Sequence, residues 1–176
     1  IHSEMPQQSE GRMRGFQLWV NLPANEKMKP AWYRDIEPHE IPQVTLAEGG
    51  TAKIIAGSIN VGGVVTEGVI TGHTTDPRYL DVDLPDGSPF RYFIGVDYSA
   101  FIYLYEGMLA IGAPGNTRAL NTRCAGVLSA GDEIVATADG GPARFLLIAG
   151  RPIREPVVQY GPFVMNTRDE VEQAVR

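Results

Sequence analysis

The chain has 176 residues, 43% hydrophobic and 20% charged, with 20 glycines, 13 prolines and a formal net charge of -6. That length suits one domain, or one domain with a piece of another, and the apolar fraction excludes global disorder. The acidic balance argues against phosphate-backbone binding, and no apolar run approaches the ~20 residues of a membrane span, so neither nucleic acid nor membrane is an expected partner.

The chain opens Ile1-His2-Ser3-Glu4-Met5-Pro6. On an extended strand His2 and Glu4 share a face, with Cα atoms roughly 6.6 Å apart, so both can reach one metal ion. An imidazole with a carboxylate suits iron, manganese or nickel better than a closed structural zinc site. Such a site needs about four protein ligands, or three with open positions, so the pair is half a site.

From Phe16 the residues alternate. Phe16, Leu18, Val20 and Leu22 fall on one face, and Gln17, Trp19 and Asn21 on the other. This predicts a strand over 15–22 with one apolar side, which cannot stand alone in water. It must pair with the downstream strands or complete a unit that precedes it. Pro23, Pro30, Pro38 and Pro42 then punctuate polar sequence and predict an extended linker over 25–43.

Short strand-like runs come next. They are 53–56, 68–71, 79–84, 91–96, 99–105, 108–111, 126–128, 133–136 and 144–148, separated by turn signals such as Pro85-Asp86-Gly87 and Glu106-Gly107. Short strands with no helical period between them predict an all-β sandwich or barrel. Asp81 and Asp83 lie opposite Leu80, Val82 and Leu84, which reads as a solvated outer face rather than acid–base machinery. The glycine-rich 57–63 lacks the following helix of a phosphate loop. His39 reads as a linker histidine and His73 as a loop histidine. Arg12 and Arg14 read as surface charges, with steering of an anionic substrate as the alternative. Near the end, Thr167 and Glu170 form a capping-box signal for a short helix. Cys124, the single cysteine, excludes an internal disulfide and fits a reducing cytoplasm.

Three word-like stretches then carry a family resemblance. They are His2-Ser3-Glu4-Met5-Pro6, Gly15-Phe16-Gln17-Leu18-Trp19-Val20-Asn21-Leu22-Pro23, and the run from Arg154 to Thr167 (Arg-Glu-Pro-Val-Val-Gln-Tyr-Gly-Pro-Phe-Val-Met-Asn-Thr). In that order they closely resemble the pirins, proteins with two cupin β-barrels in tandem. The resemblance implies one metal in the first barrel, held by three histidines and a glutamate, and normally none in the second. His2 and Glu4 fall on the third histidine and the glutamate. The other two ligands belong to a His-x-His motif that this sequence lacks; its only other histidines are His39 and His73.

The expected organisation is therefore 1–24 as the last strands of an incomplete N-terminal barrel and 25–43 as linker. A complete C-terminal cupin barrel over 44–160 and a tail with a short helix over 161–176 would complete the chain. The expected activity is that of a quercetin 2,3-dioxygenase in the intact protein, with this piece alone inactive. The alternative is a non-enzymatic, redox- or metal-sensing regulator that binds a protein partner. The expected cofactor is one divalent transition metal: iron first, with nickel, manganese, cobalt or copper as alternatives. His2 and Glu4 are the expected metal ligands, and Glu4 doubles as catalytic base. The expected partners are a flavonol-like molecule, O2, and either the missing N-terminal barrel or a second chain covering the 15–22 strand.

Overall fold

The computed structural model describes residues 10, 11 and 13–175. The strands are β1 (Gln43–Thr45), β2 (Thr51–Ala56), β3 (Ser58–Val61), β4 (Val64–Glu67), β5 (Arg78–Leu84), β6 (Pro89–Phe93) and β7 (Ser99–Glu106). They continue with β8 (Met108–Ile111), β9 (Arg118–Asn121), β10 (Cys124–Val127), β11 (Glu133–Ala138), β12 (Ala143–Gly150), β13 (Val158–Tyr160) and β14 (Phe163–Met165), before helix α1 (Arg168–Val175).

Two antiparallel sheets form the barrel, one of six strands in the order β1-β2-β5-β12-β7-β10 and one of four in the order β6-β11-β8-β9. Strand alternation decides which side chains meet between them. From the large sheet come Ile54, Leu80, Val82, Leu84, Ile102, Leu104, Phe145 and Leu147, all at 0% exposure. Phe90, Leu109, Ile134 and Ala136 of the small sheet close on them. Phe90 meets Phe145 edge-on at 5.5 Å between ring centroids. Each large apolar side chain buried this way stabilises the fold by roughly 1.5–3 kcal/mol. The opposite faces of β5 and β7 carry Asp81, Asp83, Tyr103 and Tyr105, so the aspartate pair does sit on an outer face.

The barrel turns its corners at glycines. Between β7 and β8 the chain leaves the large sheet for the small one through Gly107, where φ is 82° and an added Cβ would lie 2.2 Å from the Pro142 carbonyl oxygen. No L side chain fits there.

The structure departs from the sequence-based expectations in several places. Residues 13–23 belong to no hydrogen-bonded strand, and Gly68–Thr71 contribute only one bridge, Ile70 to Ala56. Glycine-rich 57–63 holds the β2–β3 corner and the β3–β4 hairpin turn, and β1, β9, β13 and β14 emerge from segments without a clear period. The helix is as expected: the Glu170 amide donates to Thr167 Oγ1 at 3.2 Å and the Thr167 amide to Glu170 Oε2 at 2.8 Å. Among the described residues no helix is long and apolar enough to cross a membrane.

Candidate functional site

His2 and Glu4, the predicted metal ligands, lie outside the described residues, as does Arg12. The segment from Met13 onward is described. Arg14 forms an ion pair with Glu106 at the end of β7, and its guanidinium stacks over the Tyr105 ring, 5.6 Å from the centroid. Two residues on, Phe16 lies 5.7 Å from the Tyr103 ring edge-on and 5.2 Å from the Tyr105 ring. The apolar residues of the 15–22 stretch therefore meet the downstream barrel through side chains, without strand pairing. Their cover is incomplete, because Phe16 remains 43% and Val20 52% exposed.

The landing place is set by strand register. Arg144 of β12 is opposite Asp83 of β5 on one side and Glu106 of β7 on the other, so charges alternate across three strands. Arg144 lies 3.3 Å from Asp83 and 3.7 Å from Glu106. Its guanidinium also lies over the Tyr105 ring, 5.4 Å from the centroid, so this phenol is flanked by two guanidiniums. The Tyr105 hydroxyl donates to Asp81 Oδ1 at 2.6 Å. Burial, reinforced by that bond to a carboxylate, pushes the phenol well above its usual range. The hydrogen bond from Arg14 holds the Glu106 carboxyl below its ordinary 4.5. Farther along the arm, at the start of β7, a cleft of ≈ 380 Å³ opens between Leu18–Asn21 and the sheet, against Phe101, Val127 and Ile148.

The barrel interior is different in kind. Its lining is aliphatic and aromatic, and among the described residues no group of three His, Cys, Asp or Glu side chains could hold a metal ion. Tyr92, pushed up to about 12 by burial, donates to the Ser58 carbonyl at 2.9 Å. A cleft of ≈ 230 Å³ lies above it between the β1–β2 turn, β3 and β6. His39 sits in a one-turn helix of the linker, and His73 stacks on Trp32 at 6.0 Å. Sequence alone leaves Arg14 as a surface charge and does not find its neighbours Tyr105, Glu106 and Arg144. The signal is present in the alternation of 81/83 and 103/105, but only strand register joins them.

The comparisons with known proteins fit this architecture. The pirin C-terminal cupin domain matches residues 79–176. A Pseudomonas aeruginosa protein provisionally named a quercetin 2,3-dioxygenase is 44% identical over all of this chain and 61% of its own length. Human pirin is 38% identical over 99% of the chain and 58% of its own length. The chain thus spans about three fifths of these relatives. A crystal structure of quercetin 2,3-dioxygenase from Acinetobacter baumannii superposes with a TM-score of 0.77 at 30% identity, over 89% of this chain and 52% of that one. With an all-β barrel, an apolar interior and a match to the pirin C-terminal cupin domain over more than half of its residues, this chain belongs to the pirin family.

Proposed function

We propose that the protein carrying this chain is a metal-dependent dioxygenase of the quercetin 2,3-dioxygenase type, with His2 and Glu4 as two ligands of its metal. The observation that supports it is the donor pair itself, His2-Ser3-Glu4, leading into an arm seated on the barrel. A neutral imidazole and a carboxylate fit iron first, and nickel, manganese, cobalt or copper by the same donor chemistry. The remaining ligands come from outside this sequence, in the same polypeptide or in a second chain, and that body covers the exposed side of the arm. When bound, the metal supplies Lewis-acid or redox activation toward O2.

The chain's own contribution is at Glu4 and at the arm. The Glu4 carboxylate accepts the proton of a flavonol hydroxyl, leaving the more electron-rich oxyanion as substrate. The arm itself is fastened to the sheet through Arg14 and Phe16. The relatives' names support the flavonol-like substrate class. One exposed cysteine, with no disulfide, supports a cytoplasmic setting.

The test uses the natural polypeptide carrying this sequence, loaded with iron and mixed with quercetin under air. The expected result is one metal per chain, O2 uptake and loss of quercetin absorbance. His2→Ala should lower metal content, and Glu4→Gln should reduce turnover at least ~100-fold, the lower end expected for a lost acid–base group. A fully loaded protein that leaves quercetin intact would overturn the enzyme reading in favour of a sensing role.

A further inference from the structure

We propose that the seam between β3 and β6 is a strand-addition site: an extended segment of a partner protein pairs with the open edge of β6 and brings a basic side chain to Glu48. The inference is independent of the metal assignment, because every residue it uses lies in the described barrel.

The hydrogen-bond phase of the two strands carries it. β6 is the outer strand of the small sheet, and among the described residues no strand pairs with its second edge. Along an antiparallel ladder, residues that bond to the neighbour alternate with residues that do not. The Ile94 amide donates to the Asp132 carbonyl at 2.9 Å and the Ala138 amide to the Ser88 carbonyl at 3.2 Å, so Phe90 and Tyr92 are in the bonded phase with β11. The backbone N–H and C=O groups of Arg91 and Phe93 therefore point the other way, into the seam. β3 repeats the arrangement. The Gly68 amide donates to the Gly57 carbonyl at 2.7 Å, which puts Ile59 and Val61 in the bonded phase with β4 and turns Ser58 and Asn60 outward. The Ser58 carbonyl accepts the Tyr92 hydroxyl at 2.9 Å. Past that bridge both strand edges line the same cleft of ≈ 230 Å³, and among the described residues no strand ladder joins them.

A row of free donors and acceptors along a strand edge is the template that an extended chain matches. Pro89, the next outward residue of β6, has no N–H and ends that row, so pairing is confined to Arg91 and Phe93. Phe93 is 76% exposed there, and an apolar side chain directly across the new pair would cover its ring. Charge defines the rest of the ligand. Arg91 is neutralised by Glu133 at 2.7 Å, whereas Glu48, exposed on the cleft, has no ion pair among the described residues. A lysine or arginine of the incoming segment complements it.

The test titrates the natural polypeptide with the peptide acetyl-Lys-Val-Thr-Val-Thr-Val-amide and follows amide hydrogen exchange by residue. In the free protein the Arg91 and Phe93 amides should exchange fast while the Tyr92 amide is protected. Saturating peptide should slow both at least ~10-fold. Phe93→Ala should weaken binding at least ~10-fold and Glu48→Gln about three-fold. Arg91→Pro, a change an edge strand tolerates, should abolish it. Protected β8 and β11 amides report that each variant is folded, and Phe93→Ala carries the test if Arg91→Pro is not. The same peptide N-methylated on its three central residues keeps its side chains and should not bind. Equal binding of the methylated peptide would reduce the seam to an apolar cleft and overturn the proposal. So would the absence of saturation by about 1 mM peptide. Arg91 and Phe93 amides already protected in the free polypeptide would show that edge covered by another part of it or by a second copy, and would overturn the proposal as well.

Discussion

Gly107 shows how far a single residue can be read from sequence. The Glu106-Gly107 pair announces a turn, and the structure gives the reason glycine is required: a φ of 82° and a backbone carbonyl 2.2 Å from where a Cβ would stand. Gly107→Ala should therefore cost about 3 kcal/mol, combining a left-handed backbone penalty with a clash against backbone that cannot step aside. Gly62, at φ 60° in the β3–β4 turn, has nothing within 4 Å of its Cβ position. Gly62→Ala should cost only about 1 kcal/mol. Thermal unfolding of the two variants tests the difference, at roughly 2–4 °C per kcal/mol for a chain of this size. Equal midpoints would show that the corner relaxes. The Asp83–Arg144–Glu106 row illustrates the opposite limit. Nothing local in the sequence joins residues so far apart; three strands must first take their register. The role of Arg14 is beyond reach for the same reason, since its partners exist only once that row is assembled.

Elements separate along the same line between local and non-local signals. Helix α1 is legible because its start is written within four residues, Thr167 to Glu170. Glu170 Oε2 also accepts the Asn166 amide at 3.0 Å, so this one carboxylate satisfies backbone donors ahead of the helix. Removing the reciprocal hydroxyl in Thr167→Ala should cost the helix about 1 kcal/mol. Amide exchange over 168–175 should then rise about five-fold, while the β5–β12–β7 amides stay protected. Unchanged exchange in α1 would mean that packing through Val171, the buried residue of the helix, is sufficient. The 15–22 segment has the pattern of a strand without being one, because alternation records which side chains face a surface, not whether backbone pairs with backbone. An arm laid on a sheet produces the same period as a strand within one. The four-residue β9 carries too few residues for any period to show, and the pleat of the barrel has to supply it.

Across the whole molecule, the segment from Arg14 to Glu40 is fastened to the barrel and to itself by acidic side chains. Glu106 holds Arg14; Glu26 accepts from Lys29 and Thr74; Glu40 accepts from the Glu37 amide and Arg34. In each case hydrogen bonding to the charged form lowers the carboxyl below its ordinary 4.5, through Arg14 for Glu106, Lys29 for Glu26 and the Glu37 amide for Glu40. A depressed folded-state pKa stabilises the folded arrangement above the unfolded value, and that contribution disappears as pH falls through the folded value. The fastenings should therefore hold at neutral pH and loosen progressively below about pH 4.5. The barrel core, built from Ile54, Leu80, Phe90, Phe145 and their neighbours, contains no comparable carboxylate and does not share this dependence. Both tryptophans of the chain, Trp19 and Trp32, lie on the fastened segment. Acid titration should accordingly change tryptophan fluorescence first, with the far-ultraviolet β signal persisting to lower pH. Coincident transitions would show instead that the remaining contacts, such as Phe16 on Tyr103 and Tyr105 and Lys27 on the Val164 carbonyl, keep the segment and the barrel together as one unit after the carboxylates are protonated.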